Sequence, residues 1–200
     1  MKPLLAIAFF VFSITFSNAQ LPSRAEDVSP LLVGETLPNA SVQTLDNKSV
    51  SLLAIFKTKK TVLVVYRGGW CPYCNLHLSE VGRIEKDLLA LGYQVVAISP
   101  DAPDKLKPSM DKLEISYTLL SDKAGNFLKA AGLAFKAPSN YEKFLDGSQE
   151  KGSEFFLPVP SLFILNEKGE ILFEYISPNF KQRINGYLLL AAARVFAVNK

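Results

Sequence analysis

The sequence predicts an α/β domain with a central mixed β-sheet flanked by helices, and three observations carry that prediction. Two runs rich in β-branched residues, Thr61–Tyr66 (TVLVVY) and Tyr93–Ser99 (YQVVAIS), read as strands buried on both faces of a parallel sheet. Between them Leu76, Val81, Ile84, Leu88 and Leu91 fall near helical spacing, and Gly92 closes the segment as a C-cap does. Together they make a βαβ unit, whose crossover is right-handed. The third observation is the ending. Ser161–Asn166 and Glu170–Ser177 are separated only by Glu167-Lys168-Gly169, which forces an antiparallel hairpin, and a helix is expected over Lys181–Val198.

Taken in chain order, Lys2 precedes an apolar run from Leu4 to Phe16 and the small-residue string Ser17-Asn18-Ala19. That pattern predicts a cleaved secretory signal over residues 1–19, because the run is shorter than the roughly 20 residues that span a bilayer. The mature chain is then expected in the periplasm or outside the cell, without stable membrane insertion. No cysteine follows Ala19, so nothing supports lipid attachment there. Residues 20–36 carry Pro22, Pro30 and Gly34 without a sustained period and read as an extended lead-in. One domain over 37–200 follows.

Within that domain Ala40–Leu45 and the turn Asp46-Asn47-Lys48 read as a short hairpin, and Ser51 as the N-cap of a helical turn through Phe56. Beyond the βαβ unit come a helix over Asp104–Leu113, a short strand near Tyr117–Leu120 and a helix over Lys123–Ala131. Ala134–Pro158 does not fit a minimal plan of this kind and reads as an insertion, helical over Pro138–Leu145. Connections of this length serve as lids or binding loops, or are inert surface excursions.

A hydrophobic fraction of 48% is ample for one core. With 22 basic against 19 acidic residues the net charge is +3, and no block of like charges suggests a nucleic-acid or membrane patch. A small molecule or a protein thiol is the more natural partner. Two cysteines are too few for a disulfide framework, so they must be explained as a pair.

That pair lies in Trp70-Cys71-Pro72-Tyr73-Cys74, where a buried strand ends and a helix begins, at the carboxyl edge of the sheet. The unpaired N–H groups and the dipole of a helix N-terminus favour a thiolate, and thiols in CxxC settings have pKa values of roughly 3.5–7.5. Two intervening residues let one sulfur attack a disulfide or sulfenic acid formed at the other. Pro72 suits the first helical turn, which has no use for its missing N–H, and Trp70 can shield the sulfurs from water. Trp70 and Tyr73 could equally form a partner-docking surface or simply pack. The competing readings are a structural disulfide, a poor staple across so short a loop, and half of a metal site, for which two cysteines and the single His77 offer too few ligands. No metal or other cofactor is expected. His77 and Glu80, further along the same helix, are candidate proton donors or shuttles.

With these residues in place the chain resembles the peroxiredoxin-like (alkyl hydroperoxide reductase and thiol-specific antioxidant) branch of the thioredoxin-like superfamily. The resemblance runs from about Gly34 to the C-terminus and rests on four segments: Gly34–Pro38, Tyr66–Cys74, Val95–Asp101 and Leu119–Asp122. It implies a thioredoxin-like fold with an N-terminal extension and an insertion before the strand that follows a cis-proline. In the peroxiredoxin P-x-x-x-T-x-x-C pattern the peroxide-attacking cysteine falls on Cys74, the threonine place on Cys71 and the proline place on Arg67. Thioredoxins place the nucleophile first, which is Cys71. The two precedents disagree about which sulfur leads. Where peroxiredoxins carry an arginine before the late strand, this chain has Pro160, so Val159-Pro160 resembles the substrate-docking corner of thioredoxin. Arg67 is then the candidate positive charge for thiolate and peroxide. Ser177-Pro178-Asn179-Phe180-Lys181-Gln182-Arg183 resembles a tail element reading D-P-D-Y-x-x-R but lacks both aspartates.

Three functions stay open on the sequence. The first is a hydroperoxide-reducing peroxidase using Cys71 and Cys74, recycled by a thioredoxin-like dithiol reductant. The second is a thiol-disulfide oxidoreductase acting on exported proteins. The third is a non-catalytic interaction module.

Overall fold

Alternation along the central strands builds a two-faced core, since successive strand side chains point to opposite sides of a sheet. The computed structural model describes residues 20–149 and 154–198, so the expected signal over residues 1–19 lies outside the described residues. In chain order the elements are β1 (Ser41–Gln43), β2 (Ser49–Ser51), α1 (Leu52–Phe56), β3 (Lys60–Val65), α2 (Pro72–Arg83), α3 (Glu85–Ala90), β4 (Tyr93–Ser99), α4 (Pro103–Leu113), β5 (Thr118–Ser121), α5 (Asn126–Ala130), β6 (Ala134–Lys136), α6 (Glu142–Leu145), β7 (Phe156–Pro158), β8 (Ser161–Leu165), β9 (Ile171–Ile176) and α7 (Gly186–Val198). Seven strands form one mixed sheet in the order β2-β1-β5-β4-β3-β8-β9, while β6 and β7 pair separately. Strand β3 lies inside the sheet, parallel to β4 on one side and antiparallel to β8 on the other. Val62, Val64, Val95, Ala97 and Ile164 face a core shared with α2, α4 and α7. Leu63, Val65, Val96, Ile98 and Leu165 face a second core shared with α1 and α5.

The elements follow local signals with three departures. The single helix expected between the first two buried strands breaks at Ile84, whose φ of −102° and ψ of 4° interrupt the helix and separate α2 from α3. The final helix starts at Gly186 rather than Lys181, because Asn185 caps it by accepting from the Tyr187 N–H at 2.8 Å. Residues 177–185 are thereby freed to cross the carboxyl edge of the sheet. In the insertion β6 and β7 pair antiparallel, and the Gln149 side-chain amide donates to the Phe156 carbonyl at 2.6 Å and accepts from its N–H at 3.0 Å. Among the described residues no helix is long and apolar enough to cross a membrane.

Candidate active site

Strand β3 delivers Tyr66 to the sheet edge, and the chain turns through Gly68 and Gly69 into α2. Gly68 has φ +141°, and a Cβ there would stand 2.7 Å from Asp101 Oδ1, so glycine is required sterically as well as conformationally. The buried Asp101, just beyond β4, accepts from the Gly69 N–H at 2.7 Å, while Asn75 Nδ2 donates to the Gly69 carbonyl at 2.9 Å. The loop is thus tied to both the neighbouring strand and the helix that it starts. Burial is the chief reason that the Asp101 carboxyl rises from 3.8 to about 6.

Cys71 occupies the N-cap of α2 and Pro72 its first turn; the Cys71 carbonyl accepts from the N–H groups of Cys74 and Asn75, each at 3.1 Å. Both cysteines are free thiols, Cys71 1% exposed and Cys74 fully buried. Their environments diverge sharply. A hydrogen bond from the Cys74 thiol is the largest influence on Cys71 and brings it down to about 6 against the opposing effect of burial. The Cys74 N–H and the charges of Arg67 and Arg183 lower it further. Cys74 is pushed up, first by burial and then by the neighbouring Cys71, with Arg183 and the Arg67 N–H opposing. These surroundings favour the thiolate at Cys71 and disfavour it at Cys74.

Arg67 is 3% exposed, and among the described residues no carboxylate lies within ion-pair distance of it. Its guanidinium carbon lies 4.3 Å from the Phe180 ring centre, 4.4 Å from Tyr141 and 5.2 Å from Trp70. Aromatic faces hold this cation where an acid would usually pair with it. Trp70 stacks on Phe144 at 4.9 Å and tilts against Tyr141 at 5.7 Å; Tyr73 meets Phe180 edge-on at 5.7 Å. Beside Arg67 lies a cavity of about 190 Å³, lined also by Phe135, Tyr141, Pro160 and Phe180.

Of the residues singled out in sequence, Cys71, Cys74, Arg67, Trp70 and Tyr73 converge on one place, with Pro72 exposed on its rim. Pro160 lines the cavity, but every peptide bond in the described chain is trans, so the cis corner expected at Val159-Pro160 is absent. Val159 points into the small core under the insertion, and its N–H donates to the Leu133 carbonyl at 2.8 Å, which removes it from any docking surface. His77 is buried and held neutral, down at about 4, first by burial and then by Arg183. Glu80 accepts from the Gly186 N–H at 2.7 Å and so holds the start of α7. Asp101, Tyr141, Phe144, Phe180 and Arg183 were not among the expected site residues. Arg183 and Phe180 had a signal in the tail phrase, and Asp101 in its place just past a strand at the carboxyl edge.

A sheet of this topology with paired thiols at the start of a helix on its carboxyl edge defines a thiol-dependent oxidoreductase of thioredoxin-like fold. The AhpC/TSA family model matches residues 33–173, and the chain belongs to that family. A Haemophilus influenzae protein bearing the name peroxiredoxin bcp is 36% identical over 95 residues, which span 48% of this chain and 61% of that relative. A thiol-disulfide oxidoreductase ResA of Bacillus thuringiensis is 21% identical, with 78% of this chain and 76% of that protein covered. Among solved structures, peroxidoxin BcpB of Mycobacterium tuberculosis superposes with a TM-score of 0.64 at 17% identity, covering 82% of this chain and 96% of that one. A peroxiredoxin-like protein of Aquifex aeolicus gives 0.67 at 17% identity, covering 88% and 97%.

Proposed function

We propose that the protein is a peroxiredoxin-like peroxidase in which Cys71 is the attacking sulfur and Cys74 the resolving one. The observation that carries this reading is the placement of the pair in a chain of the AhpC/TSA family, Cys71 at the N-cap of α2 and Cys74 inside the helix and fully buried. The Cys71 thiolate attacks the peroxide O–O bond, becoming a sulfenic acid as the alkoxide or hydroxide leaves and takes a proton. The Cys74 sulfur then displaces hydroxide from Cys71, which departs as water, and a disulfide forms. A thioredoxin-like dithiol donor restores the thiols. Because Cys71 is 1% exposed, peroxide reaches it when the packing around it, to which Trp70 belongs, shifts.

The CxxC order, with the leading thiol first, also suits disulfide exchange on exported proteins, and the relative named thiol-disulfide oxidoreductase favours that second reading. Stopped-flow consumption of hydrogen peroxide by the reduced protein, set beside its reduction of insulin disulfides, separates the two. Peroxide consumption faster than by a free thiol at equal pH supports the peroxidase. Peroxide consumption no faster than that, with rapid insulin reduction, transfers the assignment to disulfide exchange. We propose export as well, on the leader-like composition of residues 1–19. Terminal sequencing of protein recovered from a cell envelope fraction tests it, with a mature end at Gln20 expected and an intact Met1 contradicting it.

A further inference from the structure

A resolving thiol faces a difficulty at this site. Cys74 is fully buried and pushed up, yet it must act as a nucleophile as soon as Cys71 has reacted. Among the described residues the tail segment holds the cation placed against it: Arg183 Nη2 lies 3.5 Å from Cys74 Sγ, across a sequence separation of 109 residues. The guanidinium is aimed by its other donors, since Nη1 reaches the carbonyls of Phe180 and Gln182. The segment that carries it is itself fixed. Ser177 Oγ donates to the Asn179 carbonyl at 2.9 Å, Asn179 Oδ1 accepts from the Lys181 N–H at 3.2 Å, and the Phe180 ring sits between Tyr73 and Arg67.

We propose that Arg183 is the catalytic residue of the resolving step, a cation that turns Cys74 into a thiolate once Cys71 has been oxidised. The inference rests on Cys71 as the leading sulfur and holds for either substrate. While Cys71 is a thiolate, its charge and its hydrogen bond from the Cys74 thiol keep the Cys74 proton in place. When Cys71 becomes S–OH or S–S–R, that charge disappears and the hydrogen bond weakens. Arg183 remains, at contact distance. The Cys74 thiolate then attacks Cys71 Sγ. The S–O or S–S bond breaks, hydroxide or a thiolate leaves, and the proton lost by Cys74 ends on that leaving group. The ionisations are sequential, so two thiolates never stand beside each other in the buried site.

The test separates the two steps with an aromatic disulfide as probe, because its first thiol is released by Cys71 and its second by Cys74 whether or not the protein reduces peroxides. Trp70, the single tryptophan, gives a parallel fluorescence record with hydrogen peroxide. In Arg183→Gln the second release is expected to slow about tenfold at neutral pH, with its pH midpoint displaced upward by about one unit, while the first release changes by less than about threefold. In Arg183→Lys the midpoint stays near that of the wild type. An unchanged second release in a folded Arg183→Gln protein overturns the proposal. Should the glutamine variant lose its thermal transition, Arg183→Lys decides alone. A midpoint preserved with the charge supports the proposal, and a midpoint displaced despite the charge contradicts it. Absence of a peroxide signal in the wild type with both disulfide phases intact would remove the peroxidase reading and leave the role of Arg183 standing.

Discussion

Two stretches of chain cover the same edge of the sheet and do different work there. The insertion, residues 134–158, meets the site through rings, Tyr141 over Arg67 and Phe144 stacked on Trp70. The tail, residues 177–185, brings a ring and a charge, Phe180 over Arg67 and Arg183 against Cys74. The insertion is fastened through Gln149 to the backbone of Phe156, remote from the sulfurs, whereas the tail is fastened at the sulfur itself. On this difference we propose that the insertion governs access and the tail thiol ionisation, with Arg67 held between the two by rings from each.

The comparison breaks most decisively at the insertion's clasp. Gln149→Ala removes both hydrogen bonds to Phe156 and leaves its buried N–H and carbonyl unpaired, an expected loss of about 2–4 kcal/mol by chemical denaturation. Hydrogen exchange across 139–149 should rise while the Cys71 titration midpoint stays put. A displaced midpoint would mean that the insertion governs ionisation too. Asp101, which anchors the loop under both covers, should act in the opposite sense. Its carboxyl is raised from 3.8 to about 6, so the folded protein holds that proton more tightly than the unfolded chain does. The stability that this contributes is complete below pH 3.8 and is lost as pH rises through about 6. Asp101→Asn keeps an acceptor for the Gly69 N–H and should stabilise the protein by about 1–3 kcal/mol at neutral pH, with the gain vanishing in acid; thermal melts across pH read both.

Smaller effects sharpen the contrast. Phe180→Ala withdraws a face from Arg67 and an edge from Tyr73, and about 1–2 kcal/mol of stability should go with them. The tail loosens with it, so the Cys71 midpoint should move upward in an alkylation–pH profile. Phe144→Ala should cost about 1 kcal/mol or less, leave that midpoint alone and speed alkylation by bulky reagents a few-fold. If Phe144→Ala moved the midpoint and Phe180→Ala did not, the two covers would have exchanged roles.

Much of this architecture is written locally. The runs that became β3 and β4 are buried on both faces, so both are rich in β-branched residues with little polar alternation, and the Glu167-Lys168-Gly169 turn leaves β8 and β9 no alternative to a hairpin. The cysteine pair is legible for the same reason, a strand end and a helix start being local patterns. What escaped depends on contacts distant in sequence. Apolar spacing carries the final helix back toward Lys181, although Asn185 ahead of the apolar run is a readable cap, and with it went the non-helical path that delivers Arg183 to Cys74. Nothing near Gln149 announces that its amide will pair with Phe156 across the insertion. Asp101 stands just past a strand at the carboxyl edge, a position that flags a site residue, but its partner Gly69 is 32 residues away.

Which sulfur ionises first is decided by following thiolate absorbance against pH in the reduced wild type, Cys71→Ser and Cys74→Ser. A transition near pH 6 is expected in the wild type and, displaced upward only modestly, in Cys74→Ser, whose hydroxyl can still donate to the Cys71 thiolate. In Cys71→Ser that transition should vanish, leaving the Cys74 thiol, which titrates higher than the lost transition but lower than it does beside a Cys71 thiolate. A transition near pH 6 that survives in Cys71→Ser and is lost in Cys74→Ser would make Cys74 the leading sulfur and contradict the account.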